Sequence, residues 1–220
     1  MNKINLENQR VTIIGGGELS FSALDNCLSH APTLIAADGG ANHLNVDENK
    51  IDFIVGDLDS LKNRSFWEKQ GTKLLRLAEQ DTTDFEKCLY SVDASVYFCI
   101  GFTGRRADHF LAACSALVKY SSKKVILVGG HDLIVHVPKN LTIELPLDTR
   151  LSLFPMQRLI GIHSYGLKWS IDGIEFEPSK VISTSNSTVR KNVKITLSDD
   201  GMLLILPRSC MENVIDALDN

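Results

Sequence analysis

Several features that would place the protein in a particular class are missing from its sequence. Lys and Arg number 23 against 27 Asp and Glu, so the formal net charge is −4 and no basic surplus supports a nucleic-acid partner. No apolar run approaches the roughly 20 residues that a membrane-spanning helix needs, and residues 1–10 lack the apolar core of a signal peptide. We therefore expect a soluble, cytoplasmic protein with no nucleic acid and no membrane among its partners.

Cysteine is scarce and has no ligand-like spacing. The five cysteines are an odd number without a C-x-x-C pair, and most of them lie inside apolar periodic runs. Such cysteines are typical of small, reduced core residues in a cytosolic protein. The residues concerned are Cys27, Cys88, Cys99, Cys114 and Cys210.

The familiar glycine signatures of nucleotide-binding loops are also absent. Gly15-Gly16-Gly17 follows the first apolar run and precedes a helical pattern, but it has neither G-x-G-x-x-G spacing nor a G-K-[ST] lysine. A tight turn and a turn that lets phosphate approach the helix N-terminus are equally good interpretations.

The chain does contain a regular alternation of short apolar runs and helical patterns. With 44% hydrophobic residues it can bury a full core. Predicted strands at 11–14, 33–37, 51–55, 73–77, 95–100 and 125–129 alternate with helices, which indicates a parallel sheet. Ser60 is a candidate cap for a helix over 61–70, and Thr83 with Glu86 has capping-box spacing at the start of another.

The pattern changes near Gly130, after which short β-like runs and turns follow one another. Strands are predicted at 133–137, 141–145, 150–154, 161–164, 180–183, 191–197 and 202–206. The predicted fold class is therefore α/β: a parallel-sheet, three-layer domain over residues 1–135, followed by a small all-β sandwich domain over residues 136–220.

Acidic residues recur just beyond the predicted parallel strands. The carboxyl ends of such strands share one sheet edge, so these acids should meet there with two arginines. Two carboxylates about 4 Å apart repel by roughly 4 kcal/mol at an effective dielectric near 20. A divalent cation resolves this repulsion, and an all-oxygen ligand set suits Mg²⁺ better than zinc. The acids are Asp38, Asp57, Asp59, Asp81, Asp84 and Asp108, and the arginines are Arg105 and Arg106.

Each of these residues also has a simpler interpretation. Asp59 taken alone is more typical of a turn or helix cap than of a ligand. The arginine pair suits polyphosphate, yet it also suits a solvated loop. Trp169, an aromatic in a β domain, is more often a core residue.

Taken in order, the motifs resemble those of the thiamine pyrophosphokinase family. The resemblance rests on Asp38-Gly39-Gly40-Ala41-Asn42, Gly56-Asp57-Leu58-Asp59-Ser60, the segment 81–89 and the segment 101–109. Gly166-Leu167-Lys168-Trp169 and Ser183-Thr184-Ser185-Asn186 resemble the family's thiamine-side segments.

The resemblance implies a homodimeric enzyme with its active site near the subunit interface. Residues 1–135 would be the nucleotide-binding catalytic domain and residues 136–220 the thiamine-binding domain. The enzyme would move the pyrophosphoryl group of ATP onto the hydroxyl of thiamine, with Mg²⁺, giving thiamine diphosphate and AMP.

The same resemblance implies roles for individual residues. Catalytic roles would fall to Asp57, Asp59, Asp84 and Arg106, and metal binding to Asp57, Asp59, Asp81 and Asp84. Substrate-binding roles would fall to Asp38, Gly39, Asn42, Lys87, Arg105, Asp108, Trp169, Ser183, Ser185 and Asn186. One position departs from the family, because the usual Gly-Gly-Arg reads Gly104-Arg105-Arg106 here.

Two other functions fit the residues themselves. An Asp-x-Asp after a strand also resembles the metal site of sugar-nucleotide glycosyltransferases. A metal or nucleotide sensor without catalysis, carrying a β effector domain, is the second. The candidate base of the transfer reaction remains one of Asp57, Asp59 and Asp84.

Overall fold

The computed structural model describes residues 3–44 and 50–219, and the chain divides into two units. The first unit comprises Met1–Ala116 and Val125–Gly130, and the second comprises Leu117–Lys124 and His131–Asn220. Each unit is described by itself. Among the described helices, none is long and apolar enough to cross a membrane.

The first unit is built on a sheet whose six strands are all parallel. The strands are β1 (Ile4–Ile14), β2 (Thr33–Ala37), β3 (Phe53–Gly56), β4 (Lys73–Arg76), β5 (Val92–Ile100) and β6 (Val125–Val128). The helices are α1 (Phe21–His30), α2 (Arg64–Lys69), α3 (Asp84–Ser91) and α4 (Ala107–Lys119), and a 3-10 turn spans Asp38–His43.

The strand order β4-β3-β2-β1-β5-β6 contains a reversal. β1 to β4 follow one another outward, and β5 then returns to the other side of β1. Side chains in the middle of the sheet, such as Ile13, Ile35 and Phe98, are fully buried. Open α/β sheets bind ligands at the carboxyl ends of the strands where the order reverses. The site is therefore expected at the ends of β1 and β5.

Two glycine turns meet at this reversal. The Gly15 amide donates to the Ile100 carbonyl (2.8 Å), and the Gly17 amide donates to the Gly101 carbonyl (2.6 Å). A Cβ on Gly15 would lie 2.7 Å from the Gly101 oxygen, and Gly101 itself has φ 78°. Because both amides are used inside the protein, the tight-turn interpretation is favoured for Gly15 and Gly17.

The second unit contains two antiparallel sheets, of order β12-β9-β14-β7 and β11-β10-β13-β8. Their strands are β7 (Asp132–Val137), β8 (Asn140–Glu144), β9 (Arg150–Pro155), β10 (Leu159–Tyr165), β11 (Glu175–Phe176), β12 (Ser183–Ser187), β13 (Asn192–Leu197) and β14 (Met202–Pro207). Buried and exposed residues alternate along β8 and β13, as expected for strands with one face on a core. The predicted fold class is confirmed.

Several local predictions are also confirmed. Thr83 and Glu86 form the capping box at the start of α3, with both reciprocal hydrogen bonds present. All five cysteines lie in the described ranges, all five are buried, and none of them forms a disulfide. Burial raises the pKa of the Cys88, Cys99 and Cys114 thiols, so these side chains stay neutral.

Other local predictions are wrong. The helix expected over 61–70 spans Arg64–Lys69, with Asn63 at its N-cap, so Ser60 does not cap it. The strand expected at 180–183 overlaps the observed strand only at Ser183, and the Lys180 amide instead closes a turn by donating to the Glu177 carbonyl (2.9 Å). The paired strand follows as β12.

The first part of β1 and the C-terminal helix are among the features that were missed. β1 begins at Ile4, within a mostly polar segment in which only Ile4 and Leu6 alternate with polar residues, because pairing with β5 extends it. A final helix, α5 (Met211–Asp219), follows a 3-10 turn at Arg208–Cys210 and packs against β8 through an apolar face that includes Val214 and Ile215.

Candidate active site

A cavity of about 540 Å³ opens at the carboxyl edge of the parallel sheet. Its walls come from the turns that follow β1, β2, β3, β4 and β5, together with the N-terminal halves of α3 and α4. Five separate turns thus converge on one space, as the positions of the acids beyond the strands predict.

Three carboxylates meet at this cavity. Asp38, Asp57 and Asp59 each present an oxygen, and these oxygens lie within 4.8 Å of one another. Asp38 is buried, Asp57 is half-buried and Asp59 is exposed, so the group runs from the protein interior to solvent. The predicted meeting of these acids is therefore present in the structure.

The backbone bends sharply to bring these acids together. Asp38 has φ 39° and Leu58 has φ 65°, both in the left-handed region that residues other than glycine seldom adopt. Asn42 holds the two turns in register, because its Nδ2 donates to the Ser60 carbonyl (2.8 Å) and its Oδ1 accepts from the Lys62 amide (2.9 Å). Asn42 thus positions the acids from behind. Gly39 lines the cavity beside Ser60.

Asp38 is the most buried carboxylate of the group. Its side chain is 1% exposed, and only one oxygen is satisfied, by the Ser60 amide at 3.1 Å. The other, Oδ1, is buried and has no hydrogen-bond partner among the described residues. Burial, aided by the charges of Asp84, Asp57 and Asp59, raises the pKa of Asp38 to about 6.

Asp57 is held in the opposite way. Its Oδ2 accepts from the Gln80 side chain (2.7 Å), and its Oδ1 accepts from the Asp59 amide (3.2 Å), which keeps the pKa of Asp57 below its ordinary value. The ammonium group of Lys87 lies 4.0 Å from the same Oδ2. Asp59 accepts a hydrogen bond from the Ser60 hydroxyl (2.9 Å).

Lys87 connects the acid group to α3. Its side chain is only 2% exposed, and its Nζ lies 3.3 Å from the Asp84 carboxylate. Burial raises the pKa of Asp84, although Lys87 opposes the effect. A buried ammonium group needs nearby carboxylates, and Asp57 and Asp84 supply them.

Asp81 lies apart from the compact group. It is exposed, and its amide donates to Glu79 (2.9 Å). Among the described residues, the three acids within ligand distance of one another include Asp38 and neither Asp81 nor Asp84. The metal role of Asp81 and Asp84 stays a prediction.

The two arginines stand at the other side of the cavity. Arg106 forms a two-pronged ion pair with Asp108, at 3.1 Å from Nε and 2.6 Å from Nη2, and this pairing holds the pKa of Asp108 below its ordinary value. Arg105 has φ 50° and donates from Nη1 to the Gly16 carbonyl (3.2 Å). Both arginines are exposed and line the cavity, so both remain available to an anion.

In the second unit, Trp169 is not a core residue. Its side chain is 54% exposed, with the Lys168 ammonium group 4.7 Å from the ring centroid. Asn186, which is 2% exposed, fixes the backbone at Trp169, since its Nδ2 donates to the Trp169 carbonyl (2.7 Å) and its Oδ1 accepts from the Trp169 amide (3.2 Å). The interpretation of Trp169 as core is therefore wrong.

Ser183 and Ser185 lie on β12, where the pairing with β9 is irregular between Ser183 and Asn186. Ser185 is exposed with φ 59°, and its amide donates to the Ser152 hydroxyl (3.0 Å). This irregularity turns the serines away from regular strand positions.

Two residues near the acids escaped the sequence reasoning. Gln80 holds Asp57, and Glu79 accepts hydrogen bonds from the amides of Asp81 and Thr82 and from the Tyr90 hydroxyl. Both residues lie between the end of β4 and the capping box of α3. Since that loop begins at the sheet edge, their positions alone could have marked them as site residues.

The donor set at the cavity fits Mg²⁺. All three grouped donors are carboxylates, which hard divalent cations prefer, and the unsatisfied buried Oδ1 of Asp38 leaves a negative partial charge that a cation would neutralise. An acidic group beside arginines at the reversal of a parallel sheet is typical of enzymes that act on nucleotides.

Comparison with known proteins identifies the enzyme family. Residues 24–128 match the family model described as "Thiamin pyrophosphokinase, catalytic domain", and residues 133–203 match "Thiamin pyrophosphokinase, vitamin B1 binding domain". The chain therefore belongs to the thiamin pyrophosphokinase family, and its function is that of a thiamine pyrophosphokinase. The glycosyltransferase-like and sensor alternatives are not favoured.

Individual relatives agree with this assignment. Thiamine pyrophosphokinase 2 of Oryza sativa subsp. japonica is 29% identical over 80% of this chain and 78% of the relative. Thiamin pyrophosphokinase 1 of Caenorhabditis elegans is 26% identical over 89% and 86%. The crystal structure of yeast thiamin pyrophosphokinase superimposes with a TM-score of 0.78 at 19% identity, over 98% of this chain and 93% of the yeast chain. The thiamin pyrophosphokinase of Candida albicans gives 0.76 at 18%, over 94% and 93%.

Proposed function

We propose that this enzyme transfers the pyrophosphoryl group of ATP to the hydroxyl of thiamine in the presence of Mg²⁺. The hydroxyl oxygen forms a bond to the β-phosphorus, the bond from that phosphorus to the oxygen bridging it to the α-phosphorus breaks, and AMP leaves with that oxygen. Membership of the family supports thiamine and ATP as substrates. The observation that carries the placement of the chemistry is the group of Asp38, Asp57 and Asp59 with its unsatisfied buried oxygen.

Mg²⁺ would be held by Asp57, Asp59, Asp81 and Asp84, and the buried carboxylate of Asp38 would lie beside it. Bound there, it would neutralise charge on the polyphosphate. One of Asp57, Asp59 and Asp84 accepts the proton that the thiamine hydroxyl loses. The ammonium group of Lys87 reduces the repulsion between the carboxylates because it pairs with Asp57 and Asp84.

Arg105 and Arg106 bind the polyphosphate in this proposal. Arg106 already uses Nε and Nη2 on Asp108, so it is fixed in orientation and presents its remaining N–H groups. Arg105 makes a single contact with the Gly16 carbonyl, which a phosphate oxygen can replace. Asp108 thereby acts by orienting Arg106.

Thiamine binds the second unit through Trp169, Ser183 and Ser185. An exposed indole suits a flat cationic heterocycle, and Asn186 fixes the backbone from which it projects. We further propose a cytoplasmic homodimer in which the active site lies near the subunit interface and residues 136–220 supply the thiamine side.

The proposal is tested by a turnover assay with thiamine and ATP in which AMP and thiamine diphosphate are both measured. Equal amounts of the two products, formed only with thiamine and a divalent cation, are expected. UDP released from a sugar nucleotide would support the glycosyltransferase-like reaction instead, and ATP binding without any product would support a sensor. Sedimentation velocity measures the oligomeric state, and a monomer active at all concentrations would contradict the homodimer.

A further inference from the structure

Between β4 and α3, one carboxylate organises a loop on which the acid group depends. Glu79 Oε2 accepts from the amides of Asp81 (2.9 Å) and Thr82 (3.1 Å). Glu79 Oε1 accepts from the Thr82 hydroxyl and from the Tyr90 hydroxyl (2.9 Å). Four donors from three residues therefore converge on one side chain that is only half-buried.

The loop that Glu79 holds reaches the acid group at two points. Gln80, the next residue, donates to Asp57 Oδ2 at 2.7 Å. At the far end, the capping box of Thr83 starts α3, which carries Asp84 and the buried Lys87. Glu79 is tied to α3 as well, because Tyr90 lies on that helix.

The loop that Glu79 holds forms part of the cavity wall. Gln80 and Thr82 line the cavity, whereas Glu79 does not appear in its wall. Its two backbone acceptor contacts fix the direction in which the chain leaves β4, and this direction decides whether the Gln80 amide can reach Asp57.

We propose that Glu79 is a positioning residue for the transfer reaction, which acts through Gln80 to fix Asp57 and through Tyr90 to fix α3. This inference rests on the proposed function for its catalytic readout. Glu79 touches neither substrate nor reacting atoms in this role. Its contribution is geometric, and it depends on hydrogen bonds rather than on negative charge.

Two substitutions separate geometry from charge. Gln at position 79 can accept from both backbone amides with its oxygen and donate to the Thr82 and Tyr90 hydroxyls with its NH₂, since a hydroxyl can donate or accept. Glu79→Gln is therefore expected to keep kcat/KM for ATP within about threefold of the native enzyme. Glu79→Ala removes every acceptor and is expected to lower it about tenfold or more, with most of the loss in kcat.

A double-mutant cycle with Gln80→Ala tests the route. If Glu79 acts through Gln80, the loss in the Glu79→Ala/Gln80→Ala double variant will be smaller than the product of the two single losses. Losses that multiply would overturn the proposal, as would equal losses in Glu79→Gln and Glu79→Ala. Glu68→Ala, which removes an exposed carboxylate paired with Arg64 on α2, is the matched control and should leave kinetics unchanged.

Direct cation binding provides a readout that does not require turnover. Calorimetric titration with Mn²⁺ should show weaker binding to Glu79→Ala than to the native protein and near-native binding to Glu79→Gln. If the native protein forms no AMP with thiamine, the proposed reaction is wrong, and this titration still decides the role of Glu79. If Glu79→Ala does not fold, Tyr90→Phe removes one donor at constant size, and unchanged Mn²⁺ binding together with unchanged kinetics in that variant would overturn the proposal.

Discussion

Replacing Asp38 by Asn should stabilise the metal-free protein and weaken its function at the same time. Ionised Asp38 is buried beside Asp57 and Asp59, and its pKa is about 6 instead of 3.8. One pKa unit corresponds to about 1.4 kcal/mol, so the ionised carboxylate lowers the free energy of unfolding at neutral pH by about 2 to 3 kcal/mol. Asn has nearly the same shape as Asp and carries no charge. Its side-chain oxygen can accept the hydrogen bond from the Ser60 amide, and Asn tolerates the left-handed backbone at this position.

The direction of the pH dependence follows from the raised pKa. The folded state holds the Asp38 proton more tightly than the unfolded state, so its stabilising effect is complete below the unfolded value of 3.8 and is lost as pH rises through about 6. The free energy of unfolding of Asp38→Asn should therefore equal that of the native protein near pH 3.8 and exceed it above about pH 6. Chemical unfolding in EDTA across this range measures the difference.

Metal affinity should move in the opposite direction. Loss of the Asp38 charge beneath Asp57 and Asp59 is expected to weaken Mn²⁺ or Mg²⁺ binding about 10- to 100-fold. A stabilised variant with normal metal affinity would remove Asp38 from the cation site. A variant destabilised in EDTA would refute the electrostatic reasoning itself, because it would mean that the carboxylate is favourably paired in the folded protein.

Three further changes test other parts of the molecule. Asp57→Asn should abolish cation-dependent transfer while circular dichroism shows an intact fold, and full activity would exclude Asp57 from the metal ligands. Trp169→Ala should raise the KM for thiamine much more than that for ATP, and equal increases would argue against contact with thiamine. Burial lowers the pKa of His136, whose Nε2 accepts from the Gly201 amide, so stability should be complete above about pH 6.5 and fall as pH drops through that value. Urea unfolding should show this loss, and His136→Gln should reduce it.

The positions of the acids could be predicted from the sequence because each follows an apolar run. Asp38 and Asp57 stand directly after residues that form buried parallel strands, and the topology of such a sheet brings their turns to one edge. Thr83 and Glu86 likewise define the start of α3 through local spacing alone. These predictions succeed because they depend only on local strand and helix patterns and on the right-handed crossover that connects parallel strands.

The membership of the compact carboxylate group could not be read in the same way. It depends on the left-handed backbone at Asp38 and Leu58, and neither residue type predicts that conformation. The path of the loop before α3 depends on hydrogen bonds from the Asp81 and Thr82 amides to Glu79, which residue spacing does not show. Trp169 is exposed because Asn186, 17 positions later, holds its backbone at the surface, and single-sequence patterns do not show such a pairing.

Arg105 stands where the family usually has glycine, and its backbone is left-handed. Replacing it by glycine and by alanine separates the effect of the guanidinium from that of the backbone conformation. At φ 50° a non-glycine residue costs about 1 kcal/mol, which Gly would recover, but Gly also loses about 0.5 to 1 kcal/mol more backbone entropy on folding. Arg105→Gly should therefore leave the free energy of unfolding nearly unchanged, whereas Arg105→Ala keeps the strain. Both variants lack the guanidinium that reaches the Gly16 carbonyl and lines the cavity, so both should raise the KM for ATP by a similar factor. An unchanged KM for ATP in both variants would show that the Arg105 guanidinium does not bind ATP.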